Sequence, residues 1–143
     1  MKKIISASFL FLFLCACNEN KVSEQEPEDQ KTDLNAATDF IRYALDGNYD
    51  KARKMVVPDS VNRQTIDLFE WDYRNKRSPE EKRSYRESSI HILQSRHLND
   101  SVTILTYSNS FRNTPDSLKV VRINGQWLID MSYRFQPKDT TRK

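Results

Sequence analysis

With 143 residues, 23 of them basic and 20 acidic, the chain has the size of one ordinary domain and a formal charge of only +3. Acids and bases are interspersed, which argues against nucleic acid as the partner, since that needs a concentrated basic patch. Hydrophobic residues at 37% and aromatics at 10% are enough for a packed core and speak against a disordered chain.

The chain begins with Lys2 and Lys3, followed by an apolar run from Ile4 to Leu14. A charged start, a short apolar stretch and small residues at a cut site make a secretory signal peptide over residues 1–16. The run falls short of the ~20 apolar residues that span a bilayer. Its end, Leu14-Cys15-Ala16-Cys17, resembles a bacterial lipobox, in which the final cysteine receives the lipid. That resemblance implies Cys17 as the lipid-attachment site and the first residue of a mature chain of about 127 residues. Membrane anchoring through this lipid follows, and with it export, most naturally to an outer membrane with the domain facing the periplasm or cell surface. Cys15 would leave with the signal and Cys17 would be acylated. No thiol then remains for a disulfide, a metal site or a nucleophile.

Residues 17–31 are polar, with one proline and almost nothing apolar, and read as a disordered tether. Order is expected from Thr32 or Asp33, either of which caps a helix well. Leu34, Ala37, Phe40, Ile41, Ala44 and Leu45 form one apolar stripe, which Gly47 ends. A short second helix presents Tyr49, Ala52, Met55 and Val56 and stops at Pro58. Asp59 or Ser60 opens a third, with Val61, Thr65, Leu68, Phe69 and Tyr73 as its expected inner stripe. Ser78-Pro79-Glu80-Glu81 is a capping box with proline at the first helical position, opening a short charged helix to about Tyr85. The bases Arg74, Lys76, Arg77, Lys82, Arg83 and Arg86 read as a solvated face of this region.

After Ser88 the apolar period changes to two. Strands are expected over 88–97, 101–111, 117–123 and 126–135, the first pair turning at Asn99-Asp100. Asn124-Gly125 favours a two-residue hairpin whose register sets Arg122 opposite Trp127, Val120 opposite Ile129, Leu118 opposite Met131, and Lys119 opposite Asp130. The two faces of the first strand pair are both mixed, so the pattern leaves open which is core. Residues 137–143 read as a frayed tail. Helices followed by an antiparallel meander give an α+β domain over 32–136, its N-terminal helices packed on a four-stranded sheet.

The wording Asp46-Gly47-Asn48-Tyr49-Asp50-Lys51-Ala52 and the ending from Leu118 to Ile129 resemble the nuclear transport factor 2-like, or cystatin-like, cone fold. Small bacterial lipoproteins of unknown function carrying that fold are the nearest in look. The resemblance covers residues 33–135 and implies a curved sheet enclosing a conical pocket. Relatives include isomerases, dehydratases, immunity proteins and plain binding modules, so function must come from a site.

Candidates for such a pocket are Tyr43, Trp71, His91, Arg122 and Trp127, with His97, Asp72 and Tyr85 as further acid–base groups. His91 and His97 share strand parity and are expected on one face. Each histidine also reads as a rim residue, Trp71 as packing, and Arg122 as a cation over Trp127. No motif joins a base to an oxyanion donor, so no catalytic residue is assigned. No cluster has metal-ligand spacing, there is no glycine-rich phosphate loop among only 2 glycines, and no cofactor is expected. Asp-Ser or Asp-Thr steps place Ser60, Ser101, Ser117 and Thr140 in a pattern that resembles an O-glycosylation acceptor of exported diderm proteins; the same residues also favour caps and turns. Three functions compete: a non-enzymatic module binding a small ligand or protein, an isomerase- or dehydratase-type enzyme, and an interaction or immunity module. The last would use an outer sheet patch of Val121, Ile123 and Leu128, through which a homodimer is also expected.

Overall fold

A computed structural model describes residues 32–135. The expected signal, tether, tail, Cys17 and Thr140 lie outside the described residues. Four helices precede a four-stranded antiparallel sheet, so the domain is α+β with helices and sheet segregated along the chain.

Helix α1 spans Asp33–Asp46 and starts where the Thr32 hydroxyl accepts from the Asn35 N–H at 3.1 Å. Gly47 ends it with φ +75°, a left-handed turn that an L side chain adopts at a cost. A methyl group there would also sit 2.5 Å from Cε1 of Tyr73. Helix α2 is short, Tyr49–Arg53, and α3 runs Ser60–Lys76 from an Asp59 cap. The capping box opens α4, Pro79–Glu87, through reciprocal bonds between Ser78 and Glu81. It extends two residues past its expected end.

The inner face of α3 differs from the expected stripe. Asn62, Thr65 and Ile66 are buried and Phe69 and Tyr73 pack on the core, whereas Val61 and Leu68 are exposed. The apolar period cannot see the cause. Buried Asn62 binds Asp59 through its amide N–H at 2.7 Å and accepts from the Met131 N–H at 2.6 Å, which rotates the helix toward its polar residue.

Strands β1 (Ile90–Asn99), β2 (Val102–Asn109), β3 (Asp116–Ile123) and β4 (Gln126–Asp130) lie in the order β1-β2-β3-β4. The second hairpin has Arg122 opposite Trp127, Val120 opposite Ile129 and Lys119 opposite Asp130 as expected, but the expected pair of Leu118 with Met131 does not form, because β4 ends at Asp130. Asn124 and Gly125 both have positive φ, as a type I′ turn requires. Lys119 and Asp130 form an ion pair at 2.9 Å. The first hairpin turns one residue later than expected, at Asp100-Ser101. The last strand is shorter than its alternation suggested. The Asp130 carboxylate accepts from both the N–H and hydroxyl of Ser132 and bends the chain into a 3-10 turn over Met131–Phe135.

Leu105, Leu118, Val120 and Ile129 form the inner sheet face, packed against Ala36, Ala37, Phe40 and Ile41 of α1 and Ile66 of α3. Thus the core side of β2 is the one bearing Leu105. Strand β1, by contrast, is exposed along nearly its whole length. Leu93 and Leu98 are extra residues at two register shifts against β2. The Leu93 bulge reverses the expected parity: His91 pairs with Ser108 and His97 with Thr103, so the two histidines face opposite sides of the sheet. The β4 edge is closed by backbone bonds, Val57 N–H to Ile129 and Ile129 N–H to Met55. Arg42 joins α1 to α4 by donating to the carbonyls of Tyr85, Arg86 and Ser88.

Candidate functional site

Between the helices and the inner sheet face lies a cavity of about 440 Å³. Helix α1 contributes Phe40, Ile41, Ala44 and Leu45, spaced by its apolar stripe. Helix α3 adds Leu68, Phe69, Asp72, Tyr73 and Lys76, while Tyr49 and Tyr85 come from α2 and α4. Tyr107, Asn109, Asp116 and Leu118 line it from β2 and β3, with Met131 beyond β4. Tyrosine rings and aliphatic side chains thus surround most of the space. Lys76 and Arg112, both exposed, mark its mouth.

Local bonds fix the charged part of the lining. Burial alone would push the Asp72 carboxyl up, but hydrogen bonds and charge from Arg77 and Lys76 outweigh it and hold it below the usual carboxylate range. Arg77 donates to Asp72 at 3.0 Å, lies 3.5 Å from Glu81 and sits over the Tyr85 ring. The Asn109 side-chain oxygen accepts from the N–H groups of Phe111 and Arg112 and thereby holds Arg112 at the mouth. Phe111 meets Tyr85 edge-on with centroids 4.9 Å apart. The Tyr107 hydroxyl lies 3.5 Å from an Asp116 carboxylate oxygen.

Tyr49 and Tyr73 form the deep aromatic corner, with centroids 5.7 Å apart. Burial first, then the proximity of Tyr73, Asp72 and Glu70, pushes the Tyr49 phenol far above its ordinary value, opposed only by Arg77. The Tyr73 ring lines the cavity while its hydroxyl is buried with no hydrogen-bond partner among the described residues. Close packing against Gly47 accounts for that placement.

None of the five candidates taken from the sequence lines this cavity. Tyr43 lies under the Lys51 ammonium at 5.2 Å, and Trp71 stands exposed with Lys76 at 5.1 Å from its ring. Arg122 is exposed over Trp127 at 5.7 Å and donates to the Gly125 carbonyl, while Trp127 packs on the core from the sheet end. His91 is exposed on β1. Four of the five, all but His91, therefore serve local cation–π contacts, which sequence spacing does not separate from pocket roles. Of the further acid–base candidates, Asp72 and Tyr85 do reach the cavity. His97 lies by the start of α1, its Nδ1 2.9 Å from the Thr103 hydroxyl and 3.3 Å from Asp33. Thr103 is buried and also donates to Asp33 at 2.5 Å, so the trio fastens α1 to the first hairpin rather than presenting a nucleophile.

The cavity residues missed from sequence are Tyr49 and Tyr73, read there as helix stripe, Tyr107 and Arg112, which no pattern marked, and Asp116, marked only as the acidic neighbour of Ser117 in an Asp-Ser step. Ser60 begins α3, Ser101 lies in the first turn, and Ser117 is half-buried on β3 with its N–H on Asp116. Val121 and Leu128 are half-buried on the outer sheet face and Ile123 is exposed at its end. Among the described residues, no group of three His, Cys, Asp or Glu side chains is placed to hold a metal ion. Neither a family model nor a curated protein matches the chain.

Proposed function

We propose that the chain is an exported, lipid-anchored, non-enzymatic binding protein, held to a membrane through Cys17, whose nuclear transport factor 2-like cone domain takes a small ligand. The observation that carries this reading is the cavity of about 440 Å³ between helices and sheet, within the size range of small-molecule sites. Its composition suits a compact ligand with an apolar body and a polar end. Phe40, Leu45, Phe69 and Leu118 supply apolar contact, while Lys76, Arg77 and Arg112 offer donors. The Leu14-Cys15-Ala16-Cys17 wording supports the anchor, and sorting to an outer membrane follows if the host is diderm.

Binding is favoured over proton transfer by the state of two titratable groups in the lining, Asp72 and Tyr49. A general base works best when it titrates near the operating pH. Asp72 is held ionised by two cations and Tyr49 is held protonated by burial. Neither histidine lines the cavity.

Native mass spectrometry on the mature chain from residue 17, carrying Cys17→Ser, tests the pocket. A retained small molecule is expected, and Ala44→Trp, which fills the cavity from α1, should abolish it. Equal retention by both proteins, or none in either, overturns the pocket reading. Intact mass of the protein from its host's membranes tests the anchor separately: acyl chains on Cys17 support it and an unprocessed polypeptide mass removes it.

A further inference from the structure

Helix α3 faces two different environments. Its inner arc carries Asn62, Ile66, Phe69 and Tyr73 toward the core. At about 100° per residue, Val61, Gln64, Leu68, Trp71 and Asn75 fall together on an outer arc that bears no charge. Its three large apolar side chains are 49%, 55% and 52% exposed. The ionisable residues stand to either side. Arg63, Asp67, Glu70 and Arg74 form one flank, with Glu70 bridging Arg74 and Arg53 at 2.6 Å each. Asp72 and Lys76 form the other. An apolar stripe between charged flanks is the form of a helix that lies in a membrane interface. No helix of the described residues is long and apolar enough to cross one.

The length of chain before α1 indicates what meets this stripe. Fourteen residues separate Cys17 from Thr32. Even fully extended they reach only ~50 Å, about one and a half times the width of such a domain. A domain held on that leash stays beside the bilayer, and the lipid surface is then the apolar phase at highest effective concentration.

We propose that Val61, Leu68 and Trp71 dock α3 onto the surface of the membrane that holds Cys17, a placement that rests on the lipid-anchored reading above. Trp71 sits at the headgroup boundary, and Lys76, 5.1 Å from its ring, extends to the polar layer. Helix α3 carries three bases and three acids, so apolar burial rather than charge drives the contact, and it persists at high salt. Leu68 and Lys76 also line the cavity, so docking turns its mouth toward the lipid.

The experiment replaces the acyl anchor so that the two readings fail separately. The chain from residue 17, with Cys17→Ser and an N-terminal histidine tag, is held on vesicles bearing a nickel-chelating lipid. Trp127→Phe leaves Trp71 as the single tryptophan reporter. With phosphatidylcholine brominated in its acyl chains, Trp71 emission should shift to the blue and lose most of its intensity, in low and high salt alike. Leu68→Asp, at an exposed position that spares the fold, should restore the emission seen in solution. Unshifted, unquenched emission from the tethered protein overturns the proposal. Quenching that survives Leu68→Asp, or that vanishes in salt, overturns it equally. Absence of acyl chains on the native protein removes the anchored reading and leaves the quenching result standing on its own.

Discussion

At the level of single residues, the deep corner of the cavity holds the most unusual chemistry. The Tyr73 hydroxyl is buried without a partner among the described residues, which costs ~1–3 kcal/mol relative to a satisfied group. Removing it keeps the ring contacts with Tyr49 and removes the penalty. Tyr73→Phe should therefore stabilise the fold by about 1 kcal/mol in urea unfolding; a loss of stability would show that the hydroxyl is satisfied in solution. Tyr49 makes a different prediction, in pH. Its folded-state phenol titrates far above the ordinary value, mainly because of burial. A group whose pKa is raised by folding contributes stability that is complete below its unfolded value and is lost as pH rises toward the folded one. Wild type should then lose stability between ~pH 9 and ~pH 11 more steeply than Tyr49→Phe, the ordinary phenol titrating near 10. Parallel profiles for the two proteins would remove Tyr49 as the source.

Element by element, legibility in the sequence follows how local the determining force is. The Asn124-Gly125 hairpin and the Ser78–Glu81 capping box depend on residues within a few positions, and both have the expected form. Strand β4 ends early for an equally local reason, the Asp130–Ser132 bonds, but the apolar alternation in the sequence continues past them to Phe135 and hides that signal. The face of α3 is not legible in the sequence because its decisive contact, Asn62 to Met131, spans 69 residues. Polar residues at helical spacing look like surface until a distant backbone N–H needs an acceptor. Parity along β1 failed through one inserted residue, Leu93, which a period-two pattern cannot register without the partner strand. Both departures shape the site. His91 and His97 separate, and the expected tryptophan and arginine candidates fall outside a cavity lined instead by tyrosines.

Across the whole molecule, the helical layer and the sheet are joined by a few polar links set around the apolar core. Arg42 ties α1 to the end of α4, Asp33 and Thr103 tie the start of α1 to β2, and Asn62 ties α3 to the chain leaving β4. The helix-then-strand order was enough to read the α+β class, because burial of an amphipathic stripe on a sheet face is generic. The links were not readable, since each joins residues far apart in the chain. Asn62 is the most demanding of them, fully buried and satisfied at both ends of its amide. Asn62→Ala leaves the Met131 N–H buried without an acceptor and opens a void beside Ile66. It should lose about 2 kcal/mol in urea unfolding, whereas Arg63→Ala, one residue on and exposed, should stay within ~0.5 kcal/mol of wild type. Because Met131 lines the cavity, the same variant should also weaken ligand retention, while an Asn62→Ala protein as stable as wild type would mean that the last turn is held by the apolar core alone.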